Sequence, residues 1–174
     1  MRITTGLYKG RLLKRVGTIE TRETASIVKQ AVFNILFDVS DHIVLDVFAG
    51  SGQYGFEAIS RGAKKAIFID YQKEATMTIL DNASMLQCQQ QVEIFEQPVT
   101  QKVFHMIQDP IDTIFVDPPY DYQDYEKLLY IMPQAKQVII ETQKKTQLKN
   151  VIGSYQKVKE KAYGIKKIFL YESL

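Results

Sequence analysis

Asp117-Pro118-Pro119-Tyr120 closes the apolar run Ile114-Phe115-Val116, and its residue types suit an amine. Two adjacent prolines stiffen the backbone and remove two N–H donors, so the local carbonyls remain as acceptors. Asp117 and the Pro118 carbonyl can then accept hydrogen bonds from an exocyclic NH₂, while Tyr120 offers its ring to a planar base. A plain strand-ending turn would account for Pro118-Pro119 alone. It leaves the acid and the aromatic without a reason.

A second constellation lies upstream. Val44-Leu45-Asp46-Val47 runs into Phe48-Ala49-Gly50-Ser51-Gly52, and Gly55 completes a G-x-G-x-x-G turn. Glycines there let a ligand approach the backbone and leave helix N-terminal N–H groups free. The spacing alone admits three readings: a tight strand-to-helix turn, a dinucleotide site, or a site for a cationic cofactor. Asp46 favours the third, because a carboxylate beside the turn suits the ammonium and sulfonium of S-adenosylmethionine better than a pyrophosphate. Asp70 ends the next apolar run about 20 residues on, the spacing expected of an acid that accepts both ribose hydroxyls, and it could also cap the helix that starts near Gln72. A metal cluster of Asp46, Asp70 and Asp117 would leave the glycines and prolines unexplained.

These residues need elements to position them. Short β-branched or aromatic runs, Ile43 to Phe48, Ala66 to Asp70, Gln91 to Phe95, Thr113 to Asp117 and Gln137 to Glu141, alternate with helical stretches. Strands apolar at nearly every position are buried on both faces, as in a parallel sheet covered by helices. Val28, Ala31, Val32, Ile35 and Leu36 mark one face of a helix before the first strand. Tyr155 to Tyr171 reads instead as two strands turning near Gly164, an antiparallel edge hairpin. The expected fold is α/β: a three-layer Rossmann-like domain with a mostly parallel seven-stranded sheet and an antiparallel C-terminal hairpin. In such a sheet the three acids gather at the carboxyl edge, where ligands bind.

The chain has 174 residues, 45% of them hydrophobic and 24% charged, which excludes a disordered or low-complexity protein and suits one domain. Residues 1–22 form a basic, glycine-punctuated, hairpin-like appendage, and 23–174 form the core. No apolar run is long enough for a membrane span, and the first 15 residues hold no signal-peptide segment, so a cytoplasmic protein is expected. One cysteine, Cys88, permits no internal disulfide, and neither it nor His42 or His105 has a local partner at metal-ligand spacing; no metal is expected. Charge is unevenly spread. Met1 to Leu36 carries +5, Lys144 to Leu174 carries +6 and the middle carries −9, a division that suits a polyanionic partner as well as it suits ordinary solvated lysines.

Taken together, Asp46-Val47-Phe48-Ala49-Gly50-Ser51-Gly52 and Asp117-Pro118-Pro119-Tyr120 resemble the amino-methyltransferases of the class I S-adenosylmethionine fold. With Tyr8-Lys9-Gly10-Arg11, Thr21-Arg22, Ala31 to Leu36, Glu57 to Ala63 and Tyr163-Gly164, the chain resembles the bacterial RsmD family over nearly its whole length. That resemblance implies methylation of a guanine N2 in 16S ribosomal RNA, free or in an assembling small subunit, by a monomer using S-adenosylmethionine. It implies Asp117, Pro118, Pro119 and Tyr120 as the catalytic residues. Asp46, Phe48, Ala49, Gly50, Ser51, Gly52, Asp70 and Gln97 would hold the cofactor, and Lys9, Arg11, Arg22 and Tyr120 the RNA. The chain departs from the family pattern at Glu23 and Ser26-Ile27, where a proline and an Asp-Arg pair are missing. It departs again at Glu96-Gln97-Pro98, where an acid for the adenine amino group is absent, so weaker cofactor binding is expected. A methyltransferase fold retained as an RNA-binding or ribosome-assembly protein, a DNA adenine methyltransferase and a nicotinamide-dependent oxidoreductase are the competing readings.

Overall fold

The structure, a computed structural model, describes residues 1–17, 22–36 and 38–174, and side chains in the first helix from Ser26 onward. Thr21 and the side chains of Arg22 and Glu23, singled out above, lie outside the described residues. α1 (Arg22–Leu36) precedes β1 (Ile43–Val47), α2 (Gln53–Ser60), β2 (Lys65–Asp70), α3 (Lys73–Leu86), β3 (Val92–Glu96), α4 (Gln101–Phe104) and β4 (Ile111–Val116). α5 (Tyr125–Ile131), β5 (Ala135–Gln143), β6 (Val151–Ile152), β7 (Tyr155–Tyr163) and β8 (Lys166–Ser173) complete the chain.

One sheet runs in the order β3-β2-β1-β4-β5-β8-β7-β6, parallel from β3 to β5 and antiparallel beyond. Among the described residues the sheet has eight strands, one more than expected. β6 pairs only through Val151 and Ile152 with the start of β7, and a two-residue strand before Gly153-Ser154 reads as part of a turn in sequence. Chain order reverses between β1 and β4, so their carboxyl ends open the crevice where sheets of this kind take ligands. β1 and β4 are buried nearly throughout, which holds the loops after them at fixed positions.

Helices α1, α2 and α3 cover one sheet face, with Phe33, Tyr54, Phe56, Phe68 and Phe115 in its core. Helices α4 and α5 cover the other, against Leu45, Ile67, Ile114, Ile140 and Phe169. Among the described residues no helix is long and apolar enough to cross a membrane.

The basic N-terminal segment is hairpin-like, with Arg2 bridging Leu12, and it is docked firmly. Lys29 and Glu57, both fully buried, pair at 2.9 Å, and Lys29 Nζ also donates to the Arg2 carbonyl at 2.9 Å. Glu57 accepts from the backbone N–H groups of Thr4 and Thr5 and from the Thr4 hydroxyl. Burial works against the Glu57 charge, but Lys29 and Thr4 outweigh it and its pKa stays below the ordinary value; burial lowers that of Lys29. Asn82, fully buried on α3, donates to the Lys14 carbonyl at 3.2 Å and to the Ser51 carbonyl at 3.1 Å.

Candidate active site

β1 ends at Val47, and the chain turns at once through Phe48, Gly50 and Gly52, all in the left-handed region with φ of 61°, 54° and 78°. Gly52 caps α2. Gly55 fits because a Cβ there would come within 2.2 Å of the Phe68 ring, which draws α2 onto β2. Asp46 was expected beside this turn. It lies beneath it, 1% exposed, accepting from the Gly55 N–H at 3.0 Å, and burial pushes its pKa well above the carboxylate range. It therefore supports the turn from beneath.

Asp70, just at the end of β2, holds the same turn from the side. Its Oδ2 accepts from Gly50 N–H and its Oδ1 from Gln72 N–H, each at 2.9 Å. The N-cap of α3 is Gln72, so Asp70 braces the approach to the helix rather than capping it. Each carboxylate oxygen keeps a second lone pair for a ligand hydroxyl. Ala49 N–H bonds the Ile69 carbonyl at 3.0 Å and Ser51 is held by Asn82, so every residue of the turn has a backbone or side-chain anchor nearby. Gln97 is exposed at the same edge, its N–H on the Asp70 carbonyl at 3.1 Å. Glu96 is turned to α3, where it accepts from Thr76 Oγ1 at 2.7 Å.

Asp117 follows β4 by one residue. Pro118 behind it is buried, whereas Pro119 and Tyr120 are exposed, the tyrosine by 70%. The Pro119 carbonyl is taken by Tyr122 N–H at 3.0 Å, while the Pro118 carbonyl accepts no hydrogen bond from the described residues. Asp117 and that carbonyl thus stand as neighbouring acceptors. Gln143 Nε2 donates to the Tyr120 carbonyl and ties the loop to β5. Tyr122 stands edge-on to Phe48 at 5.2 Å and to the buried Tyr125 at 5.1 Å, joining the two loops.

Around Asp117 the structure assembles charges that the sequence did not bring together. Lys166 Nζ lies 3.8 Å from Asp117 Oδ1 and 2.8 Å from Glu141 Oε1, and the Tyr54 hydroxyl donates to Glu141 Oε2 at 2.5 Å. Burial, then Glu141, push the pKa of Asp117 up to about 7, against the pull of Lys166. Glu141 gave a signal, an acid closing Val138-Ile139-Ile140 as Asp70 and Asp117 close their strands; Lys166, brought in by the hairpin, gave none. Gln53, the first residue of α2, donates to Asp117 Oδ2 at 3.4 Å, and its own Oε1 is buried without a partner. A buried acceptor left empty costs roughly 1–3 kcal/mol, so this crevice, between Gln53 Oε1 and the Asp117 carboxylate, fits a ligand that carries a donor such as an ammonium. Among the described residues no three His, Cys, Asp or Glu side chains converge as a metal-binding set.

The basic residues divide. Leu7 N–H bonds the Ser60 carbonyl and Arg11 donates to the Met85 carbonyl, so Lys9 and Arg11 sit by the C-terminal ends of α2 and α3, the end of the sheet away from Asp117. Lys14 is paired with Asp81 at 2.7 Å. His42 hydrogen-bonds Thr113, and Cys88 is buried with its thiol pushed up to about 11 by burial.

Residues 1–172 match the family described as conserved hypothetical protein 95. The chain is 32% identical over 190 residues to ribosomal RNA small subunit methyltransferase D of Haemophilus influenzae, covering 99% of this chain and 94% of that protein. It is 29% identical to YlbH of Bacillus subtilis over 99% of this chain and 98% of the relative. The solved structure of yhhF from Escherichia coli superimposes with a TM-score of 0.83 at 25% identity, over 99% of this chain and 97% of that one.

Proposed function

Because the chain belongs to the conserved hypothetical protein 95 family, the RsmD family, we propose that it is an S-adenosylmethionine-dependent methyltransferase acting on a guanine N2 of 16S ribosomal RNA. The observation that carries this reading is the pairing of Asp117 with the free Pro118 carbonyl, coupled through Gln53 to the glycine turn. The Asp117–Pro118 pair offers acceptors to an NH₂, and the start of α2 offers the unpartnered Gln53 Oε1 to a cationic cofactor, in a single crevice.

The Gly50-Ser51-Gly52 backbone, Asp70 and Gln97 would hold S-adenosylmethionine, which when bound supplies a methyl carbon already activated on a sulfonium. The protein's task is then the poor nucleophile, an amine whose lone pair is delocalised into the guanine ring. Asp117 and the Pro118 carbonyl accept one N–H each and favour a pyramidal nitrogen with its lone pair aimed across the crevice. Tyr120, largely exposed, offers its ring to a base that has left its stack. As the N–C bond forms and the C–S bond breaks, N2 must shed a proton, and Asp117 with its pKa near 7 stands next to it as a receiver. Orientation comes first, since alignment alone can contribute several kcal/mol.

The partner in this reading is ribosomal RNA, free or in an assembling small subunit, met in the cytoplasm by a monomer. The test is mass spectrometry of ribosomal RNA nucleosides with and without the gene, joined to methyl transfer by the purified protein. N2-methylguanosine lost from small-subunit RNA on deletion and restored by the purified protein is expected. An unchanged nucleoside profile, or methylation of adenine in DNA, refutes the proposal.

A further inference from the structure

Building on that proposed activity, we infer that the RNA strand leading to the target base lies in a groove between α1 and β7, its phosphates on Lys159 and Lys161 and a base against Tyr163. The groove, about 370 Å³, is lined from α1 by Ile27, Gln30 and Asn34, and from β7 by Lys159, Lys161 and Tyr163. No acid lines it.

Its place follows from strand register. Asp117 continues β4 past the Val116–Ile140 pair, Glu141 lies opposite Ile168, and Ile168 lies opposite Lys161. Phe115, Ile139, Ile168 and Leu170 pack in the core on the α1 side, and Tyr163 packs against it. Side chains alternate along strands, so Asp117, Glu141, Lys166, Tyr163, Lys161 and Lys159 share that face. The row runs from the tetrapeptide, across Lys166 where it pairs with Tyr163, into the groove. A strand leaving Tyr120 can therefore enter the groove without crossing a helix.

Its chemistry suits a polynucleotide. On the opposite face Lys157 and Lys167 share Glu160, each at 2.9 Å, while Lys149 has Glu126 and Lys136 has Asp112. Lys159 and Lys161 are exposed and make no ion pair among the described residues. Two unneutralised ammonium groups side by side suit phosphates. Lys161 Nζ lies 5.2 Å from the centre of the Tyr163 ring, a cation–π contact beside a surface on which a base can stack. Gln30 and Asn34 are four residues apart on one helix face, so their amides can donate and accept toward the same strand. Lys9 and Arg11, by contrast, have the length of α2 or α3 between them and the reacting end.

The experiment uses 16S ribosomal RNA purified from cells lacking the gene. RNA affinity is measured at two salt concentrations for the unaltered protein, K159E/K161E, K159Q/K161Q and K9E/R11E, with S-adenosylhomocysteine binding as the check on folding. The reversal in the groove is expected to weaken RNA binding at least about tenfold and to flatten the salt slope by roughly one to two, with the glutamines intermediate. S-adenosylhomocysteine affinity should not change, and K9E/R11E should lose less than K159E/K161E. RNA affinity and slope unchanged in both groove variants would overturn the inference, as they would if the groove takes a protein instead. A loss found only in K9E/R11E would do the same. Failure of the proposed activity reads differently: the unaltered protein would then transfer no methyl to this RNA, whereas failure of the groove leaves it active and K159E/K161E equal to it in KM.

Discussion

Replacing Lys166 by methionine keeps the length of the side chain and removes the cation nearest Asp117. The ammonium lies 3.8 Å from the carboxylate, and the two side chains are 28% and 24% exposed. Two unit charges at that distance attract by about 4 kcal/mol at an effective dielectric near 20 and by about 1 kcal/mol in water. With a quarter of each group in solvent, an intermediate value corresponds to a pKa change of roughly one to two units. The sign is fixed by which form is cationically supported. Lys166 favours the ionised carboxylate, so its removal raises a pKa that already stands at about 7. Only the ionised form can take up the proton that the substrate amine sheds, so kcat/KM for methyl transfer rises with pH through this value. In Lys166→Met that rise should move to higher pH by about one to two units. Glu141→Gln removes the like charge and should move it to lower pH, because Glu141 raises the pKa of Asp117. The assay is methyl transfer from labelled donor across pH, with S-adenosylhomocysteine affinity followed over the same range as the control. A limb that stays in place in both variants, or moves the same way in both, refutes the electrostatic account of this cluster.

Asp117→Ala should abolish methylation while leaving S-adenosylhomocysteine affinity nearly unchanged, since the turn, Asp70 and Gln97 are untouched; calorimetry beside the transfer assay tells whether both fall together, which would contradict the division of roles. Gln97→Asp restores an acid at the edge where Glu96 is engaged with Thr76, and should tighten S-adenosylhomocysteine binding several-fold; equal affinities would show that no contact is missing. Lys29→Met leaves Glu57 buried with only Arg61 and the N-terminal segment as partners, and should cost about 3 kcal/mol, the low end for breaking a buried pair. For a domain of this size that corresponds to a melting temperature lower by roughly 6–12 °C, readable by calorimetry.

The parallel sheet was legible because β1, β2, β4 and the Val138-Ile139-Ile140 centre of β5 are mostly apolar, and burial on both faces leaves little room for polar alternation. The hairpin after Tyr155 was legible from its turn at Gly164, which has φ of 57°. β6 was not, since two residues carry no period. The acids at strand ends could be read individually. What each one touches could not: that Asp46 lies under the turn, or that Lys166 reaches Asp117, depends on which strands become neighbours after folding. The basic N-terminus shows the same limit from the other side. Its charge was evident, but its docking through Lys29 and Glu57 sets Lys9 and Arg11 far from the reacting end, and no local pattern in the first 17 residues encodes that placement.

Asn82 has a practical consequence for anyone dissecting the molecule. A single carboxamide grips the peptide at Lys14 and the carbonyl of Ser51, so the leader and the donor loop share one clamp. Trimming the N-terminal segment to obtain a minimal catalytic core would open that clamp, and a shortened protein is expected to bind S-adenosylhomocysteine less tightly than the full chain, which calorimetry would show.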